Sequence, residues 1–197
     1  MGGVLVELDA LGCIANFKTR AGFETIEDYL NIWHQKGFIS DMEEGKLSPE
    51  GFCDKAIALS RPGTTAEVIR ECFCSLLVRL NPSGIELIKA LRGRYDMFVL
   101  SNNNPITVEK FHNLLSDAVI PGDEVFKEEF YSCFLHLLKP GREIYEEVIR
   151  RVGVEPGEIL FIDDSEKNVA AAANAGIRTL LFLPGMDLKE EVLRILE

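Results

Sequence analysis

Ile159-Leu160-Phe161-Ile162 run without interruption into Asp163 and Asp164. An apolar run this short, ending in acids, suits a strand buried on both faces of a parallel sheet. Behind the acids, residues 170–173 are alanine-rich and Asn174-Ala175-Gly176 follows, a helix closed by a left-handed glycine. The order strand, acid pair, helix places both carboxylates at the carboxyl end of a strand, where open α/β sheets bind ligands. Two adjacent carboxylates repel each other and resist burial unless a cation neutralises them. A hard cation with oxygen ligands meets that need, and Mg2+ fits best.

From residue 82 onward strands alternate with helices. Residues 82–91 read as a helix after the break at Asn81-Pro82, 95–100 as a buried strand, 107–115 as a helix and 117–129 as irregular. Lys139-Pro140-Gly141 opens a helix carrying Ile144, Tyr145, Val148, Ile149 and Val152, and Gly153 closes it. Residues 178–183 form the next strand and 188–196 an amphipathic helix. This alternation predicts an α/β fold, a doubly wound parallel sheet covered on both faces. Residues 4–8 read as a further strand, ending at Asp9.

The stretch between reads as helices alone. Residues 25–36 form one helix closed by Gly37, and Ser40 with Glu43 forms a capping box for a turn ended by Gly45. Ser48-Pro49 opens a helix through Leu59, and a Thr64/Glu67 box leads to Ile69, Phe73, Leu76, Leu77 and Leu80 at helical spacing. No strand is predicted there. The expected organisation is an α/β core of residues 1–16 and 82–197, with an all-helical insertion at 17–81 after the first strand. The aromatics of that insertion (Phe23, Tyr29, Trp33, Phe38, Phe52, Phe73) are expected to form its own core.

With 197 residues and 47% hydrophobic content, the chain can bury such a core. A net charge of −11 argues against a nucleic-acid partner, since affinity for that backbone comes from Lys and Arg. It leaves room for a small phosphorylated substrate, which needs one local positive pocket. No apolar run is long enough to span a membrane, and the first residues lack a secretory pattern. Gly2 is no myristoylation signal, because position 6 is Val. Cys13, Cys53, Cys72, Cys74 and Cys133 form no CxxC pair and are odd in number, so they read as reduced thiols of a cytoplasmic protein. His34, His112 and His136 show no ligand spacing. A monomer and a homodimer are both compatible with the sequence.

Four signals sit at element ends: Asp9, Ser101 in Ser101-Asn102-Asn103-Asn104-Pro105, Lys139, and the pair Asp163-Asp164. Taken singly they also fit a helix cap, a polar turn, a surface charge and another cap. In a doubly wound sheet, Asp9, Ser101 and the acid pair would share one rim, within reach of Lys139. A carboxylate, a hydroxyl, a cation and a metal-binding pair around one cavity suit phosphoryl transfer.

The chain resembles the haloacid dehalogenase superfamily, in the branch with a helical cap after the first strand. Leu8-Asp9-Ala10-Leu11-Gly12-Cys13-Ile14-Ala15-Asn16-Phe17 resembles the FDLGGVLVxF opening of that group, and Leu100-Ser101-Asn102-Asn103 its second motif. Lys139-Pro140 with Glu143-Ile144-Tyr145 is similar to its KPxxxIY motif. Phe161-Ile162-Asp163-Asp164-Ser165 with Asn168 is similar to its fourth, and Glu44-Gly45-Lys46-Leu47-Ser48 to a cap segment. The resemblance implies a Rossmann-like core and a phosphatase acting on a small phosphorylated metabolite, such as a sugar phosphate, with Mg2+ as cofactor.

It further implies Asp9 as nucleophile, forming a phospho-aspartate. Asp9, the backbone carbonyl of Leu11, Asp163 and Asp164 would hold the metal. Ser101, the Asn102 backbone and Lys139 would hold the phosphoryl oxygens, and Asn168 would orient the acid loop. Many relatives carry an acid/base aspartate two residues after the nucleophile, a group worth about 10²–10⁴ in rate. Leu11 stands there. A register with Glu7 as nucleophile and Asp9 as acid/base fits the pattern less well. A catalytically silent binding protein and a metal-free dehalogenase are the alternatives, the acid pair speaking against the second. Arg20, Trp33, His34 and Lys36 are generic candidates for substrate contact from the cap.

Overall fold

Two short strands bracket the helical stretch in a computed structural model that describes residues 1–30, 35–118 and 125–196. β1 (Val6–Leu8) pairs antiparallel with β2 (Leu77–Leu80), Val6 opposite Leu80 and Glu7 opposite Arg79. The chain thus enters and leaves the helices through one paired ribbon. β1 was expected as a member of the parallel sheet and β2 was not expected at all. The ladder slips between Glu7 and Leu8, so Leu77 and Leu80 are both buried three residues apart. That spacing imitates a helix.

Between these strands lie α1 (Ala10–Asn16), α2 (Phe38–Glu43), α3 (Pro49–Ala58) and α4 (Ala66–Cys74). The helical stretch therefore starts at Ala10 rather than residue 17, and ends before 81. Ser48 caps α3 as expected, accepting from the Gly51 N–H at 3.1 Å. The α4 cap is Thr65, one residue after the expected Thr64. α2 begins at Phe38, so Ser40 lies inside it and makes no capping box. Only a 3-10 turn, Ile26–Asp28, is found in the first part of the expected 25–36 helix, and Leu30 bridges Gln35. Trp33 and His34 lie outside the described residues. Phe17, Phe23, Phe52 and Phe73 are buried together, so the helices do carry their own core.

After β2 come α5 (Pro82–Leu91), β3 (Phe98–Ser101), α6 (Pro105–Asp117) and β4 (Glu128–Tyr131). β4 runs parallel to β3, Ser101 opposite Tyr131. Its first two residues fall in the stretch expected to be irregular, because two glutamates open it where an apolar run would mark a strand. α7 (Ser132–Leu135) and α8 (Arg142–Val152) lead to β5 (Leu160–Asp163). Then follow α9 (Glu166–Asn174), β6 (Arg178–Leu181) and α10 (Leu188–Leu196), with β6 parallel to β5. The parallel α/β arrangement holds, and its carboxyl ends carry Ser101 and Asp163.

Candidate active site

Lys139 is the centre of the site. It precedes α8 and is only 8% exposed. Its Nζ donates to Asp163 Oδ2 at 2.6 Å and to the Leu100 carbonyl at 3.2 Å, joining the end of β5 to the end of β3. The ammonium also lies 5.4 Å from the centre of the Phe161 ring. A buried ammonium is costly unless paired, and these contacts supply the pairing. Its backbone is clamped: Asn102 Oδ1 accepts from the Lys139 N–H at 2.8 Å, and Asn102 Nδ2 donates to the Lys139 carbonyl at 2.9 Å. The polar triple after β3 thus does more than turn the chain. Asn104 caps α6, accepting from the Thr107 N–H at 3.2 Å, and Ser101 is buried beside Lys139's carbonyl partner.

The two acids behave differently. Asp163 is 3% exposed. Its Oδ1 accepts from the Ser165 N–H at 3.0 Å and from Asn168 Nδ2 at 2.8 Å. Burial raises its pKa, but the Lys139 ion pair and these donors outweigh burial and hold the carboxyl below its ordinary range. Asp164 is exposed and no side chain among the described residues hydrogen-bonds to it. The protein packed against it, and then the Asp163 charge, raise its pKa. A cation in front of Asp164 would relieve that repulsion.

Asp9 and Leu11 do not join them. Asp9 is an exposed N-cap, its Oδ1 accepting from the Gly12 N–H at 2.7 Å. Leu11 is 72% exposed inside α1, where backbone carbonyls serve the helix's own bonds. This placement sets both apart from the acid pair. The position beside the acid pair belongs to residues 1–3: a Cβ added to Gly3 would stand 2.0 Å from Asp164 Oδ2, and Met1 Sδ lies 3.5 Å from Asn103 Nδ2. The sequence held a signal for this. Gly2-Gly3-Val4-Leu5-Val6 repeats the GGVLV of the family opening letter for letter, whereas the register on Asp9 matches only the Asp, one Gly and Phe17. Glu7 pairs instead with Arg79 on the β1–β2 surface at 2.8 Å.

The site fits Mg2+ and no ion that demands a full protein cage. Among the described residues no third His, Cys, Asp or Glu joins the acid pair. Mg2+ is commonly held by one or two carboxylates, with substrate phosphate and waters completing the octahedron. The five cysteines are free, and burial pushes the Cys13 thiol up to about 12, far from a reactive thiolate. His112 pairs with Glu129 and His136 with the Glu44 carbonyl, both away from Lys139's partners.

Known proteins are similar to this chain in sequence and fold. D-ribitol-5-phosphate phosphatase of Bacteroides thetaiotaomicron is 28% identical over 196 residues, 99% of this chain and 95% of that one. A haloacid dehalogenase family enzyme of the same organism, solved with magnesium and inorganic phosphate as a variant with one aspartate replaced by alanine, superposes with a TM-score of 0.90. The two are 30% identical, over 98% of this chain and 95% of that one. A haloacid dehalogenase-like hydrolase of Porphyromonas gingivalis gives 0.85 at 30% identity, over 100% of this chain and 94% of that one. The family description that fits this sequence is a haloacid dehalogenase-like hydrolase, matched over residues 15–176. The fold, the lysine bridging two strand ends and the acid pair therefore place the chain among the haloacid dehalogenase-like hydrolases.

Proposed function

We propose that the protein is a Mg2+-dependent phosphatase of a small phosphorylated metabolite, with sugar and sugar-alcohol phosphates as the substrate class. The observation that carries this reading is Lys139: a buried ammonium paired with Asp163, its backbone clamped by Asn102, one residue beyond Ser101, with Asp164, to which no described side chain hydrogen-bonds, next to that partner. That constellation suits a tetrahedral dianion. Lys139 and the Ser101 Oγ–H would hold its equatorial oxygens together with the backbone at Asn102, and Asp164 with Asp163 would hold the metal. Bound there, Mg2+ supplies charge neutralisation at the phosphoryl oxygens.

The chemistry is displacement at phosphorus. In this reading a carboxylate oxygen would form a P–O bond as the ester P–O bond breaks, with water giving the departing oxygen its proton. Water then attacks the phosphorus of the acyl phosphate, releasing phosphate and restoring the carboxylate. We do not assign that carboxylate to Asp9, whose side chain caps α1. Helices α1 to α4, entered through the β1–β2 ribbon, act as the cap over the site in this reading. The free cysteines suit the cytoplasm, and among the described residues no helix is long and apolar enough to cross a membrane.

Calorimetric titration with inorganic phosphate and with D-ribitol 5-phosphate, with and without Mg2+, tests the reading before any turnover is considered. Mg2+ is expected to tighten binding, Asp164→Asn to erase that enhancement, and Ser101→Ala and Lys139→Met to weaken phosphate by about tenfold or more, each lost charge-assisted bond being worth roughly 1.5–3 kcal/mol. Unchanged phosphate affinity in a folded Lys139→Met protein would refute it.

A further inference from the structure

Tyr145 is fully buried on α8, although a phenylalanine would fill the same space without bringing a polar atom inside. Its hydroxyl donates to the Asn168 carbonyl at 3.0 Å, in the first turn of α9. A carbonyl there already accepts from the N–H four residues on, so the phenol does not rescue an orphaned group. Asn168 in turn donates from Nδ2 to Asp163 Oδ1 at 2.8 Å, and Asp163 Oδ2 accepts from Lys139 Nζ at 2.6 Å. The Lys139 ammonium lies 5.4 Å from the centre of the Phe161 ring, and that ring meets Tyr145 edge-on with 5.8 Å between centroids. The contacts therefore close on themselves, from Tyr145 through Asn168, Asp163, Lys139 and Phe161 back to Tyr145.

An ammonium has three N–H groups and no acceptor. Lys139 gives one to Asp163 and one to the Leu100 carbonyl, so the third is the one for a phosphoryl oxygen. Its direction is set once the first two acceptors are set. The Leu100 carbonyl is held by β3. Asp163 is oriented through Oδ1, by the Ser165 N–H and by Asn168. Ser165 lies two residues on in the same loop and moves with it, whereas Asn168 is anchored from outside by Tyr145. A shift of the first turn of α9 would swing the carboxylate and re-aim the third N–H. Lys139 leads into the helix that carries Tyr145, so one short segment fixes both the ammonium and the orientation of its acid.

We propose that Tyr145 is a positioning residue for phosphate binding: its hydroxyl holds Asn168, and through Asn168 and Asp163 it aims the Lys139 ammonium at the phosphoryl oxygen. It touches neither substrate nor metal. The inference deepens the phosphatase reading and rests on it for the ligand. The competing role is packing alone. Tyr145→Phe separates the two, since it keeps the ring against Phe161 and removes only the bond to Asn168.

Calorimetry with inorganic phosphate and Mg2+ tests this on the parent, Tyr145→Phe, Asn168→Ala, the double variant and Val148→Ala. Val148 is buried on the same helix outside the closed set of contacts, so its truncation controls for lost stability. Tyr145→Phe is expected to weaken phosphate about three- to tenfold, the loss of one hydrogen bond's worth of affinity. Asn168→Ala should weaken it at least as much, and the double variant no further than Asn168→Ala alone, because the hydroxyl acts through that residue. Val148→Ala should melt lower than the parent and bind phosphate equally well. A second readout needs no ligand: the Asn168 side-chain amide protons should exchange with water on the order of tenfold faster in Tyr145→Phe. Parental phosphate affinity in Tyr145→Phe, an equal loss in Val148→Ala, or a further loss when Tyr145→Phe is added to Asn168→Ala would overturn the positioning role. A parent that binds no phosphate would defeat the phosphatase reading instead. The Asn168 amide then decides the anchor by itself, faster exchange in Tyr145→Phe supporting it and unchanged exchange overturning it.

Discussion

Asp9 and Asp163 both follow a short apolar run, and their surroundings separate them. Asp163 is buried against Lys139, Ser165 and Asn168, while Asp9 faces solvent and holds the Gly12 N–H. Asp9→Ala should therefore behave as the loss of a helix cap: about 0.5–2 kcal/mol less stable in urea, with phosphate affinity unchanged in calorimetry. A tenfold loss of phosphate affinity would return Asp9 to the site. Gly3 makes the opposite case. It sits at φ +75, and an added Cβ would collide with the Asp164 carboxylate. Gly3→Ala should cost about 1–3 kcal/mol and abolish the Mg2+ enhancement of phosphate binding, since Asp164 must move aside. Enhancement equal to the parent's would show that Asp164 does not hold the ion. At this scale the acid pair, Lys139 and Ser101 were legible, because each is marked by the residues directly around it. The partner of the acid pair was not, because a strand ending in aspartate and a capped helix read alike over five residues.

The elements show the same division. The amphipathic helices α5, α8 and α10 stand where their apolar spacing put them, since each buries one stripe regardless of its partners. β2 and β4 were illegible because the irregular ladder of one and the acids of the other exist only in their pairing. Contacts between helical residues and core were equally hidden. Ser132, at the start of α7, donates to the Glu43 carbonyl at 2.7 Å and accepts from the Asn103 N–H at 3.0 Å, tying the end of α2 to the loop after β3. The Glu43 carboxyl is caught in this junction: burial, and then the Glu44 charge, push it from 4.5 up to about 7. The folded form thus binds its proton more tightly than the unfolded form. Its penalty is absent below about pH 4.5, grows between there and about 7, and persists above. Glu43→Gln should accordingly melt several degrees higher than the parent at about pH 8 and at the same temperature at about pH 4. An equal shift at both pH values would mean that packing, not charge, is at stake.

Across the whole molecule, the two parallel strand pairs meet at the site through one side chain, Lys139, which bonds to β3's backbone and to β5's carboxylate. A ligand held by Ser101 on one pair and by the acid pair on the other would bind only while both are in register, so it should stabilise the entire fold. The net charge of −11 repels an anion at a distance, which makes the local cations decisive. Phosphate at about one hundred times its dissociation constant, with Mg2+, should add about 2.7 kcal/mol. For a chain of this length that is about 5–11 °C in the melting temperature. Chelation of the metal should return the melt to the value with phosphate alone, and Lys139→Met should show about half the parent's shift or less at the same phosphate concentration. The parent's ligand-free melt also bears on the link between the strand pairs. If Lys139→Met removes about 3–5 kcal/mol, as expected when a buried carboxylate loses its partner, the bridge carries the union of the two sheets as well as the anion. A Lys139→Met protein with the parent's stability, yet with the reduced phosphate shift, would confine the lysine to binding and leave the union of the sheets to the helices around them.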